Sequence, residues 1–151
     1  MAYDSVARNR RLELREIPGV LLKEVRLTNR AESARIARAE IVLTVRSLNL
    51  PVDVAERAEL GVSETVTNAI VHAPGMPGST LRLLAIRNRD RLRIEVHDGS
   101  RAFPRPRPAG DEDESGRGLQ LLAHLADDHG TILTATGKAA WFEIVAWPDQ
   151  R

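Results

Sequence analysis

Glu64 and Asn68 lie four residues apart in a stretch of helical periodicity, Asp98 closes a later alternating segment, and Gly116-Arg117-Gly118 opens a further helix. These residue types suit chemistry on a nucleotide. On a helix, a spacing of four stacks a carboxylate and a carboxamide one turn apart. The carboxylate can then take a proton from a hydroxyl nucleophile while the amide oxygen helps hold Mg²⁺. An Asp at a strand end can accept a hydrogen bond from the amino group of adenine. A Gly-x-Gly at a helix start lets free backbone amides and the positive end of the helix dipole approach phosphates. Taken singly, each has an ordinary reading: a polar helix face, a turn aspartate, a glycine turn. Together they describe an ATP site.

The elements that must position these residues follow from hydrophobic period. Val20 to Thr28 reads as a strand with imperfect alternation, and Ala31 to Leu48 as an amphipathic helix with Ala34, Ala37, Ile41, Val45 and Leu48 on one stripe. Pro51 and Asp53 suit the start of a second helix, whose stripe of Ala55, Ala58, Val62, Val66, Ala69 and Ala73 ends at Pro74-Gly75. At about 100° per residue that stripe points nearly opposite to Glu64 and Asn68. Leu60 and Val71 flank Glu64, so a covered pocket floor is expected there rather than open water. His72 lies one turn beyond Asn68, where it could approach phosphate or substrate, or complement the helix C-terminus. Thr65 and Thr67 read as ordinary helix surface.

Leu81, Leu83 and Ala85 alternate with Arg82, Leu84 and Ile86. Beyond a turn at Asn88-Arg89-Asp90, Leu92, Ile94 and Val96 alternate with Arg93, Glu95 and His97. A short helix over 117–126 leads to strands over 131–136 and 139–147 around a tight Gly137-Lys138 loop. Helices interleaved with hairpin-connected strands predict an α/β protein. Its form is a two-layer sandwich, with a mixed, mainly antiparallel sheet covered by helices on one face. Residues 1–11 are expected to form a mobile arm and 12–151 a single domain.

Composition narrows the function. Twenty-two Lys and Arg against 21 Asp and Glu leave no strong net field, so nucleic acid is an unlikely partner. The chain has no cysteine and only four widely spaced histidines, which argues against thiolate chemistry and histidine metal cages. No stretch reaches the roughly 18 apolar residues of a membrane span, and a cytoplasmic protein without membrane contact is expected.

The order Glu64-x-x-x-Asn68, Asp98, Gly116-x-Gly118 resembles the Bergerat-type ATP-binding fold of the gyrase, Hsp90, histidine kinase and MutL superfamily. The run Val62-Ser63-Glu64-Thr65-Val66-Thr67-Asn68-Ala69-Ile70-Val71-His72-Ala73, with Gly116-Arg117-Gly118-Leu119 and Trp141-Phe142-Glu143, is similar more narrowly to bacterial anti-sigma-factor serine kinases. The resemblance spans about Val20 to Val145. It implies Glu64 as general base and Asn68 as the Mg²⁺ ligand, with Asp98 reading adenine. His72, Gly116, Arg117, Gly118 and Leu119 would lie around the phosphates. Residues of about 99–116, with Pro104, Pro106, Pro108 and the acidic run Asp111 to Glu114, would form an ATP lid or a simple flexible loop.

Two positions depart from the pattern. Ser100 occupies the second-glycine position after Asp98, where it could narrow the pocket or reach the base through a water. Ala139 and Ala140 follow Lys138 where relatives often carry a threonine. The implied protein is an ATP- and Mg²⁺-dependent serine/threonine kinase that phosphorylates an anti-sigma-factor antagonist, sequesters a sigma factor and pairs as a homodimer. The alternative is a non-catalytic module whose nucleotide state selects a protein partner.

Overall fold

Aliphatic residues recur at every second position from Leu81 to Ala85 and from Leu92 to Val96, and at three- or four-residue steps from Ala37 to Val45 and from Val54 to Ala69, and the chain folds as those periods dictate. A computed structural model describes residues 19–72, 79–99 and 121–150. Strand β1 is Val20–Thr28, helix α1 Ser33–Ser47, helix α2 Val52–His72, and β2 and β3 are Thr80–Asn88 and Arg91–Asp98. Residues 121–125 are helical, and β4 Asp128–Leu133 and β5 Lys138–Val145 complete the sheet.

The two helices form one layer. Helix α1 buries Ser33, Ala37, Ile41 and Val45, the stripe expected from sequence shifted by one residue at its start. It is capped at Leu48, and Asn49 follows with φ of 53°. Asparagine tolerates this left-handed conformation, and the chain turns back into α2 within four residues. Helix α2 buries Val54, Ala58, Val62, Val66 and Ala69 against the sheet. Thr65, expected at the surface, is buried with them, because its hydroxyl is satisfied within the helix by donating to the Gly61 carbonyl at 2.7 Å.

The sheet has strand order β1-β2-β3-β5-β4. Every described strand pair is antiparallel, so the sheet is wholly rather than mainly so. The cause is the pair of helices between β1 and β2: two antiparallel helical passes return the chain to the end of the sheet that β1 reached, and β2 must run back beside it. The imperfect alternation in β1 also has a cause. Its register slips between Leu21, opposite Ile86, and Lys23, opposite Ala85, which is a bulge at Leu22 on an edge strand. The β4–β5 loop lies earlier than expected. Lys138 already pairs with Leu133, and residues 134–137 make the turn, closed by Thr134 N–H to the Gly137 carbonyl at 3.0 Å.

The helix-facing side of the sheet is apolar: Leu81, Leu83, Leu92, Ile94, Val96, Phe142 and Ile144 are each no more than 1% exposed. The opposite side carries an ionic lattice. Glu95 accepts from Arg93 Nε at 2.6 Å and lies 2.9 Å from His97 Nε2. Glu143 accepts from Asn88 at 2.9 Å and from Arg93 Nη1 at 3.3 Å. The Arg93 guanidinium also stacks 4.0 Å above the Trp141 ring. Burial alone would raise the Glu95 pKa, but the hydrogen bonds from His97 and Arg93 outweigh it and hold the carboxyl below its usual range.

A depressed carboxyl pKa stabilises the fold above the unfolded value and loses that contribution as pH falls through the folded one. Denaturant midpoints should therefore decline below about pH 4.5, and Glu95→Gln should make that acid-side decline shallower; equal slopes in the two proteins would remove Glu95 from the account. At position 61, a Cβ would stand 2.7 Å from the Phe142 ring. Overpacking costs about 1–3 kcal/mol against a helix-propensity gain of up to about 1 kcal/mol. Gly61→Ala should thus lower the urea midpoint, and a rise would mean that Phe142 has room to move.

Candidate functional site

The alternation of β3 decides where Asp98 points. Leu92, Ile94 and Val96 enter the core, Arg93, Glu95 and His97 face the far side, and Asp98 continues the helix-side set, 5% exposed. Directly across the strand pair stands Lys138, the first residue of β5, 3% exposed. Its Nζ lies 4.0 Å from Asp98 Oδ2, an ion pair longer than a hydrogen bond. A buried ammonium beside a buried carboxylate offsets the desolvation of both.

The β4–β5 loop presses onto this strand end. A Cβ at Gly137 would meet the Asp98 carbonyl oxygen at 2.0 Å and Gly99 Cα at 2.7 Å, so only glycine allows the two backbones to touch here. Thr134, 3% exposed, accepts the Gly137 N–H on its hydroxyl at 3.0 Å and fixes the loop.

Helix α2 arrives at the same end of the sheet. Its C-terminus leads to Thr80, and Arg82 two residues later pairs with His97. The Phe142 ring marks a common level, touching Gly61 on α2 and lying opposite Ile94 on β3. From there Asp98 is four strand residues along, ~13 Å, and Asn68 is seven helix residues along, ~10 Å. Glu64 lies one turn before Asn68.

Glu64 and Asn68 are both half-buried, and neither makes a hydrogen bond or ion pair with the described residues. They lie on the flank of α2 rather than on its back, as partial burial requires. Arg57, seven residues before Glu64, occupies the same flank. It donates from Nε to the Leu125 carbonyl at 2.7 Å, and its Nη2 lies 3.3 Å from Asp127 Oδ2, which also accepts the Val145 N–H at 2.7 Å. Leu122 enters the core, and residues 125–127 are thereby held to the N-terminal part of the α2 flank on which Glu64 and Asn68 lie further along. Leu60 and Val71, expected to be covered, are 48% and 60% exposed.

His72 closes α2 at this end. Ser100, Gly116, Arg117, Gly118, Leu119, the 100–116 part of the expected lid and the arm over 1–11 lie outside the described residues. Ala139 is fully buried on the face away from the helices, whereas Ala140 and Lys138 share the side of Asp98. Lys138, Gly137 and Arg57 were not legible as site residues. A Gly-Lys pair in a hairpin reads as an exposed turn, and the role of Arg57 depends on a contact 68 residues away.

Among the described residues no three His, Asp or Glu side chains cluster as a metal site. The Asn68 amide, half-buried and without a partner among the described residues, fits one position on a cation otherwise held by phosphate oxygens. The arrangement sets a carboxylate and an amide beside one another on one wall and a buried carboxylate at the strand end.

Comparison with known proteins agrees with this architecture. The family model for the histidine kinase-like ATPase domain matches residues 27–144. Among solved structures, the crystal structure of the RsbU and RsbW domains of Rv1364c from Mycobacterium tuberculosis superposes with a TM-score of 0.62 at 16% identity, over 82% of this chain and 32% of that one. The chain therefore spans about a third of that protein and shares its fold. No curated protein matches the sequence. With more than two thirds of its length matched, the chain belongs to the histidine kinase-like ATPase domain family.

Proposed function

We propose that the chain is an ATP-dependent serine/threonine kinase of the anti-sigma-factor type. It would phosphorylate an antagonist protein and, when unopposed, sequester a sigma factor. The observation that carries this reading is the pair Glu64 and Asn68, half-buried and without partners among the described residues, on the α2 flank at the end of the sheet where Asp98 lies. The family match supports ATP as the nucleotide, and the likeness to a structure with an RsbW domain supports the regulatory form.

In this reading the Asp98 carboxylate accepts a hydrogen bond from the adenine amino group. Guanine, with a carbonyl at that position, would meet acceptor with acceptor. Asn68 would hold Mg²⁺ together with the phosphates, and the ion would neutralise charge on the transferring group. Glu64, one turn earlier, orients the substrate hydroxyl and receives its proton. Gly116, Arg117, Gly118, Leu119 and His72 are proposed around the phosphates, with Ser100 near the base. Assembly as a homodimer and a cytoplasmic location belong to the same proposal; no helix among the described residues is long and apolar enough to cross a membrane.

A second reading, a nucleotide-dependent binding module without transfer, is favoured by one contact. Lys138 already stands 4.0 Å from the carboxylate proposed to read adenine, and a bound purine has to share that carboxylate with it.

Incubation of the protein with ATP, Mg²⁺ and a cognate antagonist separates the two, since label on a partner serine supports the kinase and binding without label supports the module. Glu64→Ala should reduce transfer by about 10²–10⁴-fold with ATP affinity in calorimetry largely kept; full transfer would overturn the base assignment. Asn68→Ala should weaken the Mg²⁺-dependent part of ATP binding, and Asp98→Asn should lower adenine affinity; an unchanged titration of either variant would remove that residue from the site.

A further inference from the structure

On the face of the sheet away from the helices, register brings three nitrogen-bearing side chains into one row. Arg26 on β1 pairs directly with Arg82 on β2, and Arg82 directly with His97 on β3. Neighbouring strands are about 5 Å apart, and like charges placed opposite one another destabilise a sheet unless something takes up the charge. Arg82 gives its Nε to Glu24 at 2.6 Å, and His97 lies against Glu95 at 2.9 Å. Arg26 has no carboxylate within ion-pair range among the described residues. The row lines a pocket of about 430 Å³, completed by the hydroxyl residues Thr80 and Thr136 and by Asp98 and Gly99 at its end.

We propose that this pocket is a second anion site, which takes a phosphate monoester. Two guanidinium groups at cross-strand spacing offer forked donors to adjacent phosphate oxygens, and the nearby hydroxyls suit the remaining oxygen. The Nε bond to Glu24 holds Arg82 in place while leaving its terminal nitrogens to the ligand. A cavity of this size lies within the usual range for small ligands, ~300–1,000 Å³, so the organic part of the ester is accommodated as well as its phosphate. The ester group is common to a phosphorylated serine on a protein and to a small phosphate metabolite. Its cations face away from α2, on the opposite side of the sheet from Glu64 and Asn68, and the pocket adjoins the proposed nucleotide site at Asp98.

Titration of the full chain with inorganic phosphate, glycerol phosphate and a phosphoserine peptide, followed by calorimetry, tests this. Saturable binding that persists at saturating ATP is expected, and Arg26→Ser should weaken it about tenfold, equivalent to ~1.4 kcal/mol, with ATP affinity and thermal midpoint unchanged. A peptide bound more tightly than glycerol phosphate identifies a protein source, and equal binding a small ester. Absence of saturable binding, displacement by ATP, or an Arg26→Ser protein that binds as well as the parent would overturn the proposal. ATP binding is measured in the same samples, so failure of the nucleotide reading appears separately. Glu24→Gln, which frees Arg82 without removing a cation, gives a second check: binding should persist or tighten, and its loss would contradict the assignment of the row.

Discussion

The closeness of α2 to the sheet governs the rest of the molecule. Position 61 carries no side chain, and the Phe142 ring fills the space that a Cβ would claim. This contact sets the height of the helix above β3 and β5, and it does so midway along α2. Residues on either side are then carried to fixed levels: Arg57 toward residues 125–127, Asn68 toward the strand end at Asp98. Because packed interiors have the density of organic crystals, such a contact transmits position rather than absorbing it. A site built from one helix and one strand needs this kind of fixed separation.

The sheet divides two chemistries. Toward the helices it is apolar, and the buried ionic pair there, Asp98 with Lys138, sits at the open end. Away from the helices the same strands carry arginine, glutamate and histidine in alternation, tied across β3 and β5 through Glu95 and Glu143. One-residue slippage of β3 would exchange the two sets, placing Arg93 and Glu95 under α2 and Ile94 outside. The charged face therefore also specifies register, and the orientation of Asp98 depends on that register.

Much of this was readable in the chain. Periods of 3.6 and 2 gave both helices and the β2–β3 hairpin to within a few residues, because each is long and one-sided in its burial. Asp98 was legible as a strand end since the alternation from Leu92 stops there. Elsewhere the determining contacts are remote in sequence. The start of β5 depends on Lys138 facing Asp98, 40 positions earlier in the chain, so Gly137-Lys138 reads locally as a loop. The placement of residues 125–127 beside α2 depends on the Arg57 contacts, which a helical wheel of α2 alone does not contain. The antiparallel pairing of β1 and β2 likewise follows from counting helical passes rather than from any residue in the strands.

Asp127 joins three parts through one residue. Its carboxylate meets Arg57 and the Val145 N–H, while its own N–H donates to the Glu143 carbonyl. The polypeptide entering β4 is thus pinned at one point both to the neighbouring strand and, through the Arg57 guanidinium, to the helix that bears Glu64.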